Sequence, residues 1–356
     1  MAYSRILEDC PQTFVKDGKC VFGTFPGHSE RLDIRGVSRA YLDLPIPKWI
    51  TNLRIKSRLS FFFNVGEYLG YIDFFDAKIF GLAEVTFWST STKQRFSYRT
   101  LTGPRKRLVP HNLISAATSS YKKARYIRVS WDRAHNRLSA IFNLRGDSVR
   151  PGVNGVVQAR FSDPQSTEIT CVVPAPTLRR CSARYYASMP VKGALTLVPT
   201  HENPVPMEDS QGVSFFEINR TYMKFRSFAE FATGLGYIGE KQITFRIEAG
   251  SQDAVDPDRY NANILFYDGK STPLPPVVIT HNYGIMKTWN IQDTENMIDL
   301  TFTPISDNHN IINAILFRTE YHAIYGQFNG ALITKDGEKL AINGLPGICR
   351  DMNIRL

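Results

Sequence analysis

Apolar and polar residues alternate with a period of two along most of this chain, which constrains the fold more than any other feature. Four apolar residues share one face of the segment 137–144: Leu138, Ala140, Phe142 and Leu144. The same alternation recurs in the segments 126–131, 242–247 and 299–303. Because successive side chains of a strand point to opposite faces, this pattern predicts half-buried β-strands. Aromatic residues make up 12% of the chain, which also favours pleated surfaces over helical bundles.

Turn signals separate these segments. Asp-Gly occurs three times between strand-like runs, at 17–18, 268–269 and 336–337. The pair readily adopts the positive φ angles of tight turns, so each occurrence predicts a β-hairpin. Only two segments, 112–124 and 227–233, are predicted to be helical. Many strands joined by short turns predict an all-β fold of antiparallel barrels or sandwiches with little helix.

The chain length and an internal repeat indicate two units. A chain of 356 residues exceeds the usual domain size of about 100–200 residues. The sequence Leu-Gly-Tyr-Ile at 69–72 recurs at 235–238, about half a chain length later. Turn-forming residues and prolines cluster between 163 and 176. These features predict two tandem barrels, an N-terminal one over 1–165 and a C-terminal one over 166–356.

The net charge of +10 raises the question of a nucleic-acid partner. The densest basic stretch comprises residues 105–107, 122–123 and Arg125, with Tyr121 and Tyr126 interleaved. Such a strip suits a single-strand binder, which stacks bases on aromatic rings. It equally suits a solvated β-edge protected by Lys and Arg, and the dispersed charge elsewhere favours this second interpretation. We therefore expect no nucleic-acid partner.

Targeting and cofactor signals are absent from the sequence. The first residues lack the apolar core of a signal peptide, and no run of 18 apolar residues exists, so we expect a cytoplasmic protein without a transmembrane segment. Residues 234–239 match the Gly-x-Gly-x-x-Gly dinucleotide pattern, but a strand-like segment follows them instead of a helix. The seven histidines show no ligand spacing. We expect neither a cofactor nor a metal site.

The segment 212–234 carries the most suggestive polar residues. Glu217 and Arg220 stand there among aromatic residues, so they supply either an acid catalyst inside an apolar cavity or an ion pair on an exposed β-surface. A second candidate catalytic residue is His322, which is either a general base or a hydrogen-bonded wall residue. The candidate ligand-binding residues are Asn219, Arg220, Tyr222, Phe228, Phe231, Asn263, Trp289 and Tyr321.

Several short segments resemble a family known as domain of unknown function 2804. The most specific segment is 217–223, Glu-Ile-Asn-Arg-Thr-Tyr-Met, where the family usually begins with Asp. The other similar segments are 20–25, 47–49, 69–71, 231–234, 267–269 with Asn263 before it, 299–304 with Trp289, and 325–330. The resemblance covers most of the chain.

This resemblance implies a pair of lipocalin-like β-barrels. Such barrels are distantly similar to carotenoid hydratases of the hydroxyneurosporene synthase type and to fungal Diels–Alderase barrels. Those relatives bind hydrophobic, polyene-like molecules, and some hydrate, isomerise or cyclise them with cavity carboxylates and no cofactor. Two acids of the family are replaced in this chain, by Ala262 and by Arg350. Their loss implies altered chemistry wherever those acids are catalytic.

Three functions remain open. The chain is a binding module for a terpenoid, polyene or lipid in an aromatic-lined cavity, or a hydratase, isomerase or cyclase in which Glu217 protonates an alkene. Alternatively, it is a scaffold whose barrels are filled with side chains. A ligand-sized cavity argues against the scaffold, and a cavity carboxylate away from Arg and Lys favours the enzyme. The sequence leaves the oligomeric state open.

Overall fold

A computed structural model describes residues 3, 5–41, 46–104, 108–122, 124–198, 209–314 and 317–355. A short hairpin comes first, formed by β1 (Val15–Lys16) and β2 (Lys19–Cys20). The strands of the first sheet are β3 (Gly23–Pro26), β4 (Ile55–Val65), β5 (Tyr68–Asp76), β6 (Gly81–Ser89), β7 (Arg95–Thr102), β8 (Ser115–Lys122), β9 (Arg125–Asp132), β10 (Arg137–Leu144), β11 (Gly152–Ala159), β12 (Thr167–Pro174), β13 (Cys181–Val198) and β14 (Ser210–Tyr222). One short helix, α1 (Lys48–Leu53), precedes β4.

The second sheet contains the rest of the chain. Its strands are β15 (Arg226–Ile238), β16 (Lys241–Gly250), β17 (Ile264–Tyr267), β18 (Lys270–Pro273), β19 (Val278–His281), β20 (Trp289–Gln292), β21 (Ile298–Ala314), β22 (Phe317–Ile333) and β23 (Lys339–Arg355). Every pair of neighbouring strands in both sheets is antiparallel. The predicted all-β, antiparallel fold with little helix is confirmed.

The first sheet curls into a nearly closed barrel of ten strands, in the order β7-β6-β5-β4-β14-β13-β11-β10-β9-β8. Basic residues bridge the remaining seam between its two edges. Lys122 donates from Nζ to the carbonyl oxygen of Leu101 at 2.7 Å, and Arg125 donates to the carbonyl oxygen of Arg99. These two members of the basic stretch therefore cap unpaired carbonyls of β7. Residues 105–107 and 123 lie outside the described residues.

The second sheet is a half-barrel in the order β18-β17-β16-β15-β23-β22-β21-β20-β19. The chain changes from the first sheet to the second between Tyr222 and Arg226. Strands β12, β13 and β14, which the predicted boundary after residue 165 assigns to the second barrel, hydrogen-bond within the first sheet. The boundary of independently folding units stays a prediction.

The side chains of strand β4 alternate between two hydrophobic cores, one on each face of the first sheet. Phe61 and Phe63 point into the barrel and join its core, whereas Phe62 points outward to the second sheet. There, Phe62 packs with Tyr71 and Phe215 in a cluster that both sheets share. All residues of β5 and β6 are buried because these strands are covered on both faces. The inner face of the half-barrel holds a further core around Trp289.

The hairpin predictions are confirmed at all three Asp-Gly pairs. Asp17 and Gly18 have φ angles of 50° and 74° between β1 and β2. Asp268-Gly269 joins β17 to β18, and the turn at 336–337 joins β22 to β23. The glycine pattern at 234–239 lies within β15 and its turn into β16, as the strand-like sequence after it indicates.

Both helix predictions are wrong. The segment 112–124 contains strand β8, whose Thr118 and Ser120 are buried alternately against β9. The segment 227–233 lies within β15, which pairs with β16 on one side and β23 on the other. Strand pairing, on one edge of β8 and on both edges of β15, outweighs the weak local preference of these short segments. Within the described part of the chain, no helix is long and apolar enough to cross a membrane.

Replacing Phe62 with Ala tests the cluster that joins the sheets. We expect Phe62→Ala to lower the free energy of unfolding by about 3–5 kcal/mol, because the ring is fully buried and its loss leaves a cavity. The matched control is Tyr121→Ala, because Tyr121 is 71% exposed. Urea unfolding followed by circular dichroism measures both. Equal losses in the two variants would show that the shared cluster contributes little.

Candidate functional site

A cavity lies between the two sheets, at the end where β14 leads into β15. The part of it that the centre of a water molecule can occupy is about 80 Å³, and all of the space between its walls, including what is open to solvent, is about 740 Å³. Apolar side chains from both sheets form the outer wall, and charged side chains form the inner wall and, at Asp253, the rim. The apolar residues are Phe75, Met223, Phe228, Phe231, Met352 and Ile354, and the charged ones are Lys56, Arg58, Arg184, Glu217, Arg246, Glu248 and Asp253.

Two of these charged residues, Arg246 and Glu248, belong to strand β16. Its residues 243, 245 and 247 face the core of the half-barrel, so the intervening polar residues face the first sheet. Arg246 is only 3% exposed, and the Glu248 side chain is 10% exposed. The polar face of this strand is therefore buried against β13 and β14 instead of facing water.

Three ion pairs link the sheets at and beside this cavity. Glu217 Oε2 lies 3.2 Å from Arg246 Nε, and Arg184 Nη2 lies 2.6 Å from Glu248 Oε1. Asp73 Oδ2 lies 3.0 Å from Arg350 Nη1. Every side chain in these pairs is at most 10% exposed. Removal of one partner would leave a buried charge uncompensated, so the pairs fix how the sheets meet.

The pairs do not satisfy all of their polar atoms. Glu217 Oε2 and Arg246 Nε make no hydrogen bond to any described residue, although they are close enough for an ion pair. The same holds for Glu248 Oε2 and for Nε and Nη1 of Arg184. Unbonded buried polar atoms are costly and uncommon. These unbonded atoms are concentrated on one wall of the cavity.

A row of polar side chains extends this wall across the first sheet. Glu217 is the direct cross-strand partner of Tyr186 on β13 and of Ser60 on β4, so the three share one face. The hydroxyl groups of Tyr186 and Ser60 are buried and also make no hydrogen bond to the described residues. Burial raises the pKa of Tyr186 well above its usual value, so this hydroxyl stays protonated and can donate.

Asp253 lies at the rim, where the residue as a whole is exposed. Desolvation by the protein around the carboxyl raises its pKa to about 6, although the backbone N–H of Gly250 donates to Oδ2 at 2.7 Å and lowers it. The nearby negative charge of Glu248 adds to the increase. A carboxyl with a pKa near 6 exchanges its proton close to neutral pH, as acid–base catalysis requires.

The structure brings together four of the predicted site residues. Glu217, Asn219, Phe228 and Phe231 all line the cavity. Arg246 lies over the ring of Phe231 at 4.2 Å from its centroid, which holds the guanidinium beside Glu217.

Two predicted residues of the same strand point the other way. Arg220 donates inside the barrel to Ser57 Oγ and to the carbonyl oxygens of Val109 and Pro110. Tyr222 also packs in the barrel core, so neither residue lines the cavity. The hypothesis that Arg220 accompanies Glu217 is wrong because an odd spacing in a strand separates side chains onto opposite faces.

The other predicted residues are dispersed. Asn263 lies in a loop and donates from Nδ2 to the carbonyl oxygen of Pro275 at 2.9 Å, and Trp289 belongs to the core of the half-barrel. Tyr321 donates to the buried Glu84 and accepts from Arg99 at 2.9 Å. His322 lies on the inner face of the half-barrel, where its Nδ1 is 2.6 Å from Asp307 Oδ2. None of these side chains lines the cavity.

Sequence reasoning missed Arg184, Arg246, Glu248 and Asp253. The alternation in 242–247 predicts a half-buried strand, and it does not show that the polar face of this strand is covered as well. Both residues that replace acids of the family lie where the two sheets meet. Ala262 is buried in the cluster between the sheets, and Arg350 forms an ion pair there with Asp73.

The sequence matches the family described as a domain of unknown function (DUF2804) over residues 17–356. The chain belongs to this family. No curated protein matches the sequence. Kievitone hydratase from Nectria haematococca aligns with 84% of this chain and 88% of its own, at 10% identity and a TM-score of 0.45. OccK11 (OpdR) from Pseudomonas aeruginosa aligns with 85% of this chain and 95% of its own, at 10% identity and a TM-score of 0.16.

The variant Glu248→Gln tests the electrostatics of the rim. We expect the pKa of Asp253 to fall below about 6, because a negative charge that raises it is removed. Carbon-13 NMR titration of labelled aspartate carboxyls measures the change. Asp147 is the internal control, since a hydrogen bond from Arg150 holds its pKa at about 2 on the other sheet. An unchanged Asp253 titration would exclude coupling between the two carboxylates.

Proposed function

We propose that this protein binds a hydrophobic small molecule with one polar group, such as a terpenoid, polyene or lipid, in the cavity between the sheets. The observation that carries the proposal is an apolar outer wall that leads to buried charges with unbonded polar atoms. A ligand that fills both parts buries its apolar surface and completes the missing hydrogen bonds.

The position and lining of the cavity support this function. Binding sites for small molecules commonly have mostly apolar walls with a few fixed polar groups. The interior of the first barrel is filled by core side chains, which is what the scaffold alternative requires. The cavity between the sheets favours binding over the scaffold. The expected ligand position thus moves from a barrel interior to the junction of the two sheets.

The inner wall favours a hydroxyl or carbonyl group on the ligand. Glu217 Oε2 and Glu248 Oε2 accept hydrogen bonds, whereas Arg246 Nε and Arg184 Nη1 donate them. Acceptors and donors of both charges lie on the same wall, so a free ion on the ligand would meet repulsion as well as attraction. A neutral hydroxyl both donates and accepts, and therefore suits this wall best.

Acid–base conversion of the bound molecule is a second candidate function, and the raised pKa of Asp253 favours it. A cavity carboxylate that lies away from Arg and Lys would suit proton donation. Glu217 forms an ion pair with Arg246 instead, so it is poorly suited to donate a proton. We assign proton donation to Asp253 and proton acceptance to Glu217. Isomerisation or cyclisation of an alkene needs such a donor and acceptor, and hydration needs water as a further reactant, from which the acceptor removes a proton. A cytoplasmic location and the lack of a nucleic-acid partner stay predictions from sequence.

Filling the cavity tests the binding function. We expect Ala229→Phe to weaken binding of the apolar fluorescent probe anilinonaphthalene sulfonate by about tenfold or more, because Ala229 lines the cavity and a phenyl ring occupies ligand space. Val156→Phe on the exposed side of β11 is the matched control, with binding unchanged. Fluorescence titration measures affinity, and mass spectrometry of extracts from purified protein identifies retained molecules. Equal probe binding by both variants would place the site elsewhere.

Asp253→Asn and Glu217→Gln test the acid–base function on the molecule extracted from the protein. We expect each substitution to lower kcat by about 10²–10⁴-fold, because each removes one proton-transfer group. Asp253→Asn should also remove the change in rate near pH 6. Product formation across a pH series measures both effects. Unchanged turnover in one variant removes that residue from the mechanism, and lack of turnover in the wild-type protein leaves binding as the function.

A further inference from the structure

Outside the cavity, two histidines and a glutamate converge on the inner face of the half-barrel. His309 on β21 and His322 on β22 are direct cross-strand partners, and Glu320 precedes His322 by two positions on the same face. One donor atom of each of the three residues lies within 4.8 Å of the others. The sequence does not reveal this cluster because the histidines lie on different strands and meet only through the register of the hairpin.

Neighbouring charged groups orient the imidazole of His322 and the carboxylate of Glu320. Asp307 Oδ2 lies 2.6 Å from His322 Nδ1, so the proton of the neutral ring resides on Nδ1 and the lone pair on Nε2. Carboxylates commonly hold metal-binding histidines in this way. Arg318 donates to Glu320 Oε2 at 3.1 Å, while Glu320 Oε1 faces His309 Nε2 at 3.3 Å. Each residue thus keeps one donor atom within 4.8 Å of those of the other two.

The two imidazole rings stack with their centroids 4.1 Å apart and their planes 2° from parallel. A common ion requires the His309 ring to turn its edge toward Nε2 of His322, while Asp307 holds the His322 ring in place. The side chain of His309 is 44% exposed and that of Glu320 is 32% exposed, which allows this rotation and gives an ion access from solvent.

We propose that His309, His322 and Glu320 form a binding site for a divalent transition-metal ion such as Zn²⁺. Two imidazoles and one carboxylate suit Zn²⁺, Co²⁺ or Ni²⁺ better than Mg²⁺ or Ca²⁺, which prefer oxygen ligands. Three protein ligands leave a coordination position for water or for a ligand group. The site lies on the opposite face of the second sheet from the cavity, and it does not depend on the function proposed there.

Titration of the purified, metal-stripped protein with Co²⁺ and with Zn²⁺ tests this site. We expect one equivalent of Co²⁺ to bind with a visible absorption band, and Zn²⁺ to displace it. His309→Gln and His322→Gln should each weaken binding by about tenfold or more, and Asp307→Asn by about 10–100-fold. The matched control is His135→Gln, because His135 also pairs with an aspartate, Asp132, at 2.8 Å but lies on the first sheet.

Circular dichroism of each variant confirms that it is folded. Glu320→Gln serves as a second ligand variant because its side chain is exposed enough to tolerate the change. Absence of stoichiometric binding to the wild-type protein would overturn the proposal. Binding that persists in His309→Gln, His322→Gln and Glu320→Gln would overturn it as well. Binding of the apolar probe in the same preparations reports on the cavity separately, so failure of one proposal is distinguishable from failure of the other.

Discussion

The structure depends on ion pairs that are buried where its two sheets meet. Each pair has one charged residue on the first sheet and one on the second. The pairs are Arg184 with Glu248, Glu217 with Arg246, and Asp73 with Arg350. Burying a charge costs several kcal/mol unless an opposite charge compensates it, so a shift of one sheet along the other would separate all three pairs at once. The apolar cluster around Phe62 provides the hydrophobic surface that is buried when the two sheets pack together, and the charge pairs select how the sheets are aligned.

The candidate site is a consequence of the same constraint. The pairs hold charged groups at a place that side chains do not fill, and several of their polar atoms stay without hydrogen bonds among the described residues. Among the described residues, aromatic side chains and Arg220 fill the interior of the first barrel. The candidate cavity of this protein lies between the sheets, where apolar packing and charge pairing meet.

Much of the fold was predictable because its signals are local. Alternation identified strands in the segments 126–131, 137–144, 242–247 and 299–303, and Asp-Gly identified three turns through its tolerance of positive φ. The predicted helices at 112–124 and 227–233 failed because strand pairing overrode weak local preferences. At the site, Glu217 and Phe231 were found from their setting among aromatics, whereas Arg246 was not, because its partner lies on a different sheet.

The sequence by itself determined which residues share a face, because the backbone of a strand sends neighbouring side chains to opposite sides. It thereby separated Glu217 from Arg220 and Phe61 from Phe62. Only the tertiary structure decided what each face meets. The polar face of β16 would point to water in an isolated sheet, but the first sheet covers it, so Arg246 and Glu248 became buried partners of Glu217 and Arg184. Solvent exposure depends on contacts between strands that are distant in sequence, and no local pattern encodes them.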